Sequence, residues 1–344
     1  MTTARPVSGA VCAPVPAADP VLVARFAADM ARIWPEAWAP GGLAGGGVRL
    51  GLAVSGGPDS LALLLLAHAA WPGGVAAATV DHGLREGSAA EAAQVALVCA
   101  RLGVPHQVLR VTLADGNVQA EAREARYAAL AGWLGDLAPP ECPVALATAH
   151  HADDQAETLL MRLNRASGVA GLAGVRPKAR VPGTALTLLR PVLGWRRAEL
   201  ARVVAGAGLV AADDPSNRNA AFDRVRMRAN LAACDWIDVP AVAASAGHLA
   251  DADAALEWAA AREWAEAVVS GGLGLTYRPQ APRAVAMRVV ARIVAKLDGA
   301  DPRGGAVARL FDDLLAGRTV SIGNLVARPG PGGWNFAKAP RRRG

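Results

Sequence analysis

From Val48 to about Pro191, short apolar, strand-like runs alternate with longer stretches in which apolar residues recur at helical spacing. VRLGLAV precedes a helix from Pro58, GVAAATV one from Ser88, HQVLRVTL one from Val118 and VALATAH one from Asp153. Strand and helix in strict alternation predict βαβ units, and hence a parallel sheet covered by helices on both faces. Ligands in such sheets bind beyond the carboxyl ends of the strands. The polar segments SGGPDS, DHGLREGS and HHADDQAE fall at those ends, so the pattern predicts that they meet over one crevice. LTLLRPV and GWRRAELARVVAGAG add a further strand and a helix ending at Gly208, and the turn-rich ADDPSNRNAAFDRVRMR follows. Beyond Trp236 the spacing is predominantly helical. The expected organisation is an N-terminal extension over 1–45 with a leading helix in VLVARFAADMARIW, an α/β domain over 46–235, and a smaller, mainly helical domain over 236–344.

Composition narrows the class. Hydrophobic residues make up 53% of the 344 positions and charged ones 19%, which fits a globular core. The proline-rich start and the tail KAPRRRG lack a periodic apolar pattern and are expected to stay unpacked. The longest apolar run, LALLLLAHAAW, is too short to cross a membrane, and the N-terminus lacks the pattern of a signal peptide, so a cytoplasmic protein is expected. Cys12, Cys99, Cys142 and Cys234 form no CxxC pair, which argues against a zinc site, an iron–sulfur cluster or a disulfide framework. The formal charge is +6, and from Pro282 onward twelve Lys and Arg face four Asp. That imbalance makes the C-terminal part the expected polyanion surface; Arg288, Arg292 and Lys296 form a basic stripe expected first as a solvated helix face, the alternative being a tRNA track continued by Arg328, Lys338 and the terminal arginines.

SGGPDS has the chemistry of an anion cradle. Its glycines allow backbone amides to approach one anion, Pro58 suits the first helical position, and the helix that follows aims its positive end at the loop. A Walker loop is excluded, because GxxxxGK[ST] is absent. The stretch resembles instead the SGGxDS pyrophosphate-binding loop of the N-type ATP pyrophosphatases, which cleave ATP between the α and β phosphates and activate a carbonyl oxygen as its adenylate. The resemblance implies that Ser55, Gly56, Gly57, Pro58, Asp59 and Ser60 bind ATP.

Within that superfamily, ATAHHADDQAETLLMRLNRASGVAGLAG resembles the HxxDDQxET…RGSGxxGL signature of the tRNA(Ile)-lysidine synthetases, with Ala166 where that family more often has glycine. VDHGLR, QAEAREARY and DDPSN followed by Arg224 and Arg228 match further segments; Val225 replaces the family's usual asparagine. The similarity spans roughly residues 48 to 230. It implies a PP-loop fold, ATP as substrate, and Asp59, Asp154 and Glu157 as the acidic set serving Mg2+ and the amine of L-lysine, with Asp59 and Asp154 toward the metal. Asp154 and Glu157 stand three apart on a predicted helix and share a face; the competing expectation is Asp154 as N-cap with Glu157 as its capping partner. Arg126, Arg224, Arg228 and His150 are the expected contacts to tRNA or phosphate, while His151 and His82 are expected in structural hydrogen bonds.

The implied activity is ATP-dependent ligation of L-lysine to the first anticodon cytidine of tRNA(Ile) bearing a CAU anticodon, with the helical domain holding the tRNA. The oligomeric state is left open, a homodimer being one option. The nearest rival is a tRNA thiolase of the same superfamily, whose members commonly carry paired cysteines. A tRNA-binding protein that keeps an idle ATP site is the rival from another class.

Overall fold

The structure, a computed structural model, describes residues 14–38, 49–81, 83, 87–111, 118–137, 144–212, 219, 221–272, 274–302 and 304–339. Two compact units, 1–247 and 248–344, divide the chain.

The first unit opens with α1 (Pro20–Ile33) and the short α2 (Pro35–Trp38). There follow β1 (Leu50–Ala53), α3 (Pro58–Ala70), β2 (Val75–Asp81), α4 (Ser88–Leu102), β3 (His106–Arg110), α5 (Val118–Leu137), β4 (Ala145–Ala147) and α6 (Ala152–Leu163). The unit continues with α7 (Val169–Leu172), β5 (Lys178–Arg180), β6 (Thr187–Leu189), α8 (Arg197–Gly206) and α9 (Asp223–Ala232). The division between the units falls inside α10 (Val239–Ala267).

The strands form a six-stranded sheet in the order β3-β2-β1-β4-β6-β5, in which only the edge pair β5 and β6 is antiparallel. The alternation in the sequence therefore gives the parallel sheet it predicts; the short β5 is an addition. Side-chain parity sorts the strands between two cores. Leu50, Leu52, Val75 and Ala77 face the core built by α1, α3, α4 and α8, while Ala76, Ala78 and Leu146 face α5, where Tyr127, Leu130, Trp133 and Leu134 are buried. Gly51 allows α5 its close approach, because a Cβ there would stand 2.9 Å from Trp133. The unbroken LALLLLA run makes α3 apolar all round, and Leu61 to Ala67 are buried accordingly.

The leading helix α1 belongs to this unit. Phe26, Met30 and Ile33 join the core at helical spacing. Its polar face binds α8: Arg25 meets Glu199 at 2.7 Å, and Trp195 donates its indole N–H to Asp29 at 2.9 Å.

The second unit contains the end of α10 with α11 (Arg283–Asp298) and α12 (Gly304–Leu315), the helices anticipated from the sequence. It also contains a five-stranded antiparallel sheet, in the order β7-β8-β11-β10-β9, which the sequence reading did not anticipate. Its strands are β7 (Val268–Gly271), β8 (Gly274–Tyr277), β9 (Val320–Ile322), β10 (Leu325–Gly330) and β11 (Gly333–Lys338). Leu275, Tyr277, Leu325, Ala327, Trp334 and Phe336 turn one sheet face into a core with α11 and α12.

In the same unit the residues of the basic stripe find partners on α10. Arg288 pairs with Asp253 and Glu257, Arg292 pairs with Glu257, and the Lys296 ammonium lies 5.5 Å from the Trp264 ring centroid. These charges are spent within the unit, holding α11 to α10.

Candidate active site

In the sheet, the chain passes from β1 to β2 and β3 on one side and places β4 and β6 on the other. Such a reversal opens a crevice at the carboxyl ends of the strands. A cavity of about 740 Å³ lies there, floored by Ala53, Val54, Ala78 and Thr79 from the ends of β1 and β2.

SGGPDS forms one wall. Gly56 takes φ +90, a conformation that favours glycine, and Gly57 is the N-cap of α3 with Pro58 at the first turn. Ser60 braces the turn, accepting from the Ser55 amide at 3.2 Å and donating to the Gly57 carbonyl at 3.0 Å. Ser55, Gly57, Pro58, Asp59 and Ser60 line the cavity; Gly56 lies behind it, its carbonyl accepting from the Ala212 amide at 2.9 Å. The positive end of α3 thus faces the cavity, as an anion site requires.

HHADDQAE forms the second wall. His151 is the N-cap of α6, and Asp154 accepts a hydrogen bond from the His151 amide at 3.1 Å. This corrects the capping expectation: Asp154 is the third helical residue of a capping arrangement, and Glu157 takes no part in it. Asp154 still lines the cavity together with Asp59, His150 and Arg197. Its neighbour Asp153 turns to α8, accepting from the Arg197 amide at 2.9 Å and from the Arg196 guanidinium. Burial disfavours ionisation of Asp153, but His151, Arg196 and the Arg197 amide hold its carboxyl well below the usual range.

His151, 1% exposed, makes no ring hydrogen bond of good geometry. Its ring nitrogens lie 3.4 Å from Asp59 and 3.5 Å from Asp153 and Asp154. Burial opposes a charged ring, yet these carboxylates raise it to about 9. His150 behaves oppositely. Burial, assisted by Arg190, Arg123 and Arg224 and opposed by Asp154, pushes it down to about 4, and its Nδ1 lies 3.0 Å from the Thr148 hydroxyl. The histidine doublet thus sets one buried ring among carboxylates and a second ring facing the cavity.

Glu157 is 1% exposed and lies outside the lining, paired with Arg228 Nε at 2.8 Å and Arg224 Nε at 3.8 Å. Those arginines come from α9 and do line the cavity. Of the three expected carboxylates, Asp59 and Asp154 share one space, whereas Glu157 supports α9.

Arg126 lines the cavity from α5, and Arg123 and Tyr127 join it there. Arg123, Tyr127 and Arg197 were not singled out by sequence reasoning, although Arg123 stands one helical turn before Arg126 within the QAEAREARY segment already matched. His82 and Arg85 of VDHGLR, and all of DDPSN, lie outside the described residues.

Among the described residues, no group of three or more His, Cys, Asp or Glu is arranged to hold a metal ion. Asp59 and Asp154 nevertheless fit a partial shell for Mg2+, which takes one or two carboxylates and completes its coordination with phosphate oxygens and water. The buried Asp59 Oδ1, which has no hydrogen-bond partner, suits that role.

A glycine loop at a helix N-terminus, with paired carboxylates and arginines around one crevice, defines a PP-loop ATP-binding protein. The PP-loop domain family matches residues 41–234. The tRNA(Ile)-lysidine synthase of Novosphingobium aromaticivorans is 49% identical over 86% of this chain and 90% of its own length; that of Zymomonas mobilis is 43% identical over the same shares. The chain belongs to the tRNA(Ile)-lysidine synthase family of PP-loop proteins.

Proposed function

We propose that this protein ligates L-lysine to C2 of the cytidine at the first anticodon position of tRNA(Ile) with a CAU anticodon, consuming ATP and releasing AMP and pyrophosphate. The product, lysidine, shifts codon reading from AUG to AUA. The observation that carries the reading is the opening of the glycine loop, Asp59, Asp154, Arg224 and Arg228 into one cavity, in a chain of this family.

The C2 carbonyl oxygen of the cytidine attacks the α-phosphate of ATP, and pyrophosphate leaves. The Gly57-capped turn and the positive end of α3 hold the departing phosphates without a lysine. Asp59 and Asp154 would hold Mg2+, which would supply charge neutralisation at the phosphates. Arg224 and Arg228 steady phosphate of ATP or tRNA through forked, charge-assisted hydrogen bonds, and Arg126 holds an anionic group from α5. Glu157 positions the two α9 arginines.

The neutral ε-amine of lysine then attacks C2 and AMP departs. An ammonium is not a nucleophile, so a carboxylate of the Asp59 and Asp154 pair orients the amine and accepts its proton. The domain over 236–344 holds the tRNA, and the protein works in the cytoplasm; no helix among the described residues is long and apolar enough to cross a membrane.

Incubation with labelled lysine, ATP and unmodified tRNA(Ile) tests the reading. Label enters the tRNA only when ATP is present and the first anticodon base is cytidine. Sulfur incorporation instead, or no transfer, would sink it in favour of a thiolase or an idle binding protein. Asp59→Asn is expected to lower transfer by more than about 100-fold while tRNA retention on filters persists.

A further inference from the structure

The cavity carries positive charge on α5 as well as at the glycine loop and on α9. Arg123 and Arg126 stand one turn apart on α5, their guanidiniums 5.2 and 5.4 Å from the Tyr127 ring centroid, and all three residues line the cavity. Arg190, 5% exposed, follows β6 close enough to Tyr127 and Arg123 to feel both. None of the three arginines has an ion-pair partner among the described residues, unlike Arg224 and Arg228, which share Glu157.

The Tyr127 hydroxyl is buried without a hydrogen bond of normal geometry. Burial also disfavours the charge on Arg126 and on Arg190. Cations held this way, without a carboxylate, are costly until an anion completes them.

Asp59 on α3 and Asp154 on α6 line the same cavity, beside Arg197, Arg224 and Arg228, so the carboxylates and the α5 arginines stand on separate elements of one site. An amino acid with a charged side-chain amine needs both counter-charges, on separate elements. The phosphates of ATP already have the glycine loop and the end of α3.

We propose that Arg123 and Arg126, with the Tyr127 hydroxyl and Arg190 behind them, form the subsite for the α-carboxylate of lysine, directing its ε-amine toward Asp59 and Asp154. The inference rests on the reading of the chain as a lysine ligase. A guanidinium grips a carboxylate through two parallel hydrogen bonds, which also fixes the direction of the side chain. The subsite therefore selects amino acids over simple diamines.

The test compares kcat/KM for transfer of labelled L-lysine with that for labelled 1,5-diaminopentane, which keeps the chain and the amine but lacks the carboxylate. The wild-type protein favours lysine. Arg126→Gln lowers the lysine-to-diaminopentane ratio about 10- to 100-fold, the worth of a hydrogen bond to a charged group, chiefly through KM for lysine. Arg126→Lys recovers part of the ratio. Arg123→Gln, at an exposed position, lowers the ratio too and serves as the reporter should Arg126→Gln fail to fold. An equal fall for both amines, with the ratio kept, overturns the proposal and assigns these arginines to ATP or RNA phosphate. Wild-type transfer of both amines equally well overturns the subsite alone; transfer of neither overturns the parent reading and the subsite with it.

Discussion

Glu157 meets Arg228 at 2.8 Å and Arg224 at 3.8 Å, and only the carboxylate is buried, so the cost of breaking the pair depends on which side is removed. Arg228→Ala leaves a buried carboxylate with one distant partner and is expected to cost about 3 kcal/mol. Glu157→Gln leaves two arginines that reach solvent and is expected to cost about 1 kcal/mol. Urea unfolding of the two variants checks the order; equal losses would mean that Glu157 is hydrated or otherwise satisfied. Sequence could place Asp154 and Glu157 on one helix face, since three-residue spacing is a property of the helix alone. It could not show that Glu157 is claimed by α9, because that contact spans 71 positions. The resemblance singled out Asp154 of the DDQ pair, and the docking of α8 supplies the physical reason, since it takes Asp153 for Arg196 and Arg197 and leaves Asp154 to the cavity.

At the scale of elements, the α/β alternation was legible because both faces of the sheet are covered, and the strands therefore read as apolar runs. The antiparallel edge strand β5 was not, nor was any strand of the second sheet, six-residue β10 and β11 included, because the reading beyond Trp236 followed the helical spacing of α10 to α12. The turn after α6 holds Ala166 at φ 52, a left-handed conformation that costs a side chain about 1 to 2 kcal/mol. Ala166→Gly relieves the strain at some entropic cost and is expected to stabilise the protein by about 0.5 to 1 kcal/mol, read as a higher urea midpoint.

Strand β8 allows a prediction about pH. The Tyr277 hydroxyl is buried and donates to Glu263 at 3.0 Å, so burial first, and then the adjacent carboxylate, raise its ionisation above the ordinary value of 10.0. A raised folded value means that the contribution to stability is complete below the unfolded value and declines as pH rises beyond it. The alkaline limb of stability is therefore expected to fall above pH 10.0. Tyr277→Phe would flatten that limb, while lowering stability at neutral pH because Glu263 loses a donor.

Across the whole molecule, charge separates into two uses that sequence counts alone merge. The excess of Lys and Arg after Pro282 pointed to a polyanion surface, but the stripe of Arg288, Arg292 and Lys296 is paired with Asp253, Glu257 and the Trp264 ring. Helical spacing put those cations on one face correctly; it could not show that α10 lays acids along the same face. Arg288→Ala should therefore act on folding. With its side chain 17% exposed and shared between two carboxylates, its loss is expected to cost about 2 kcal/mol. A tRNA phosphate contact would instead reduce the slope of log affinity against log salt by about one unit, with little effect on stability. Filter binding across a salt series, alongside thermal unfolding of the same variant, separates the two. An unchanged salt slope with a lowered melting temperature leaves Arg288 as a strut of the second unit, whereas the opposite pair of results would return the α11 face to the tRNA.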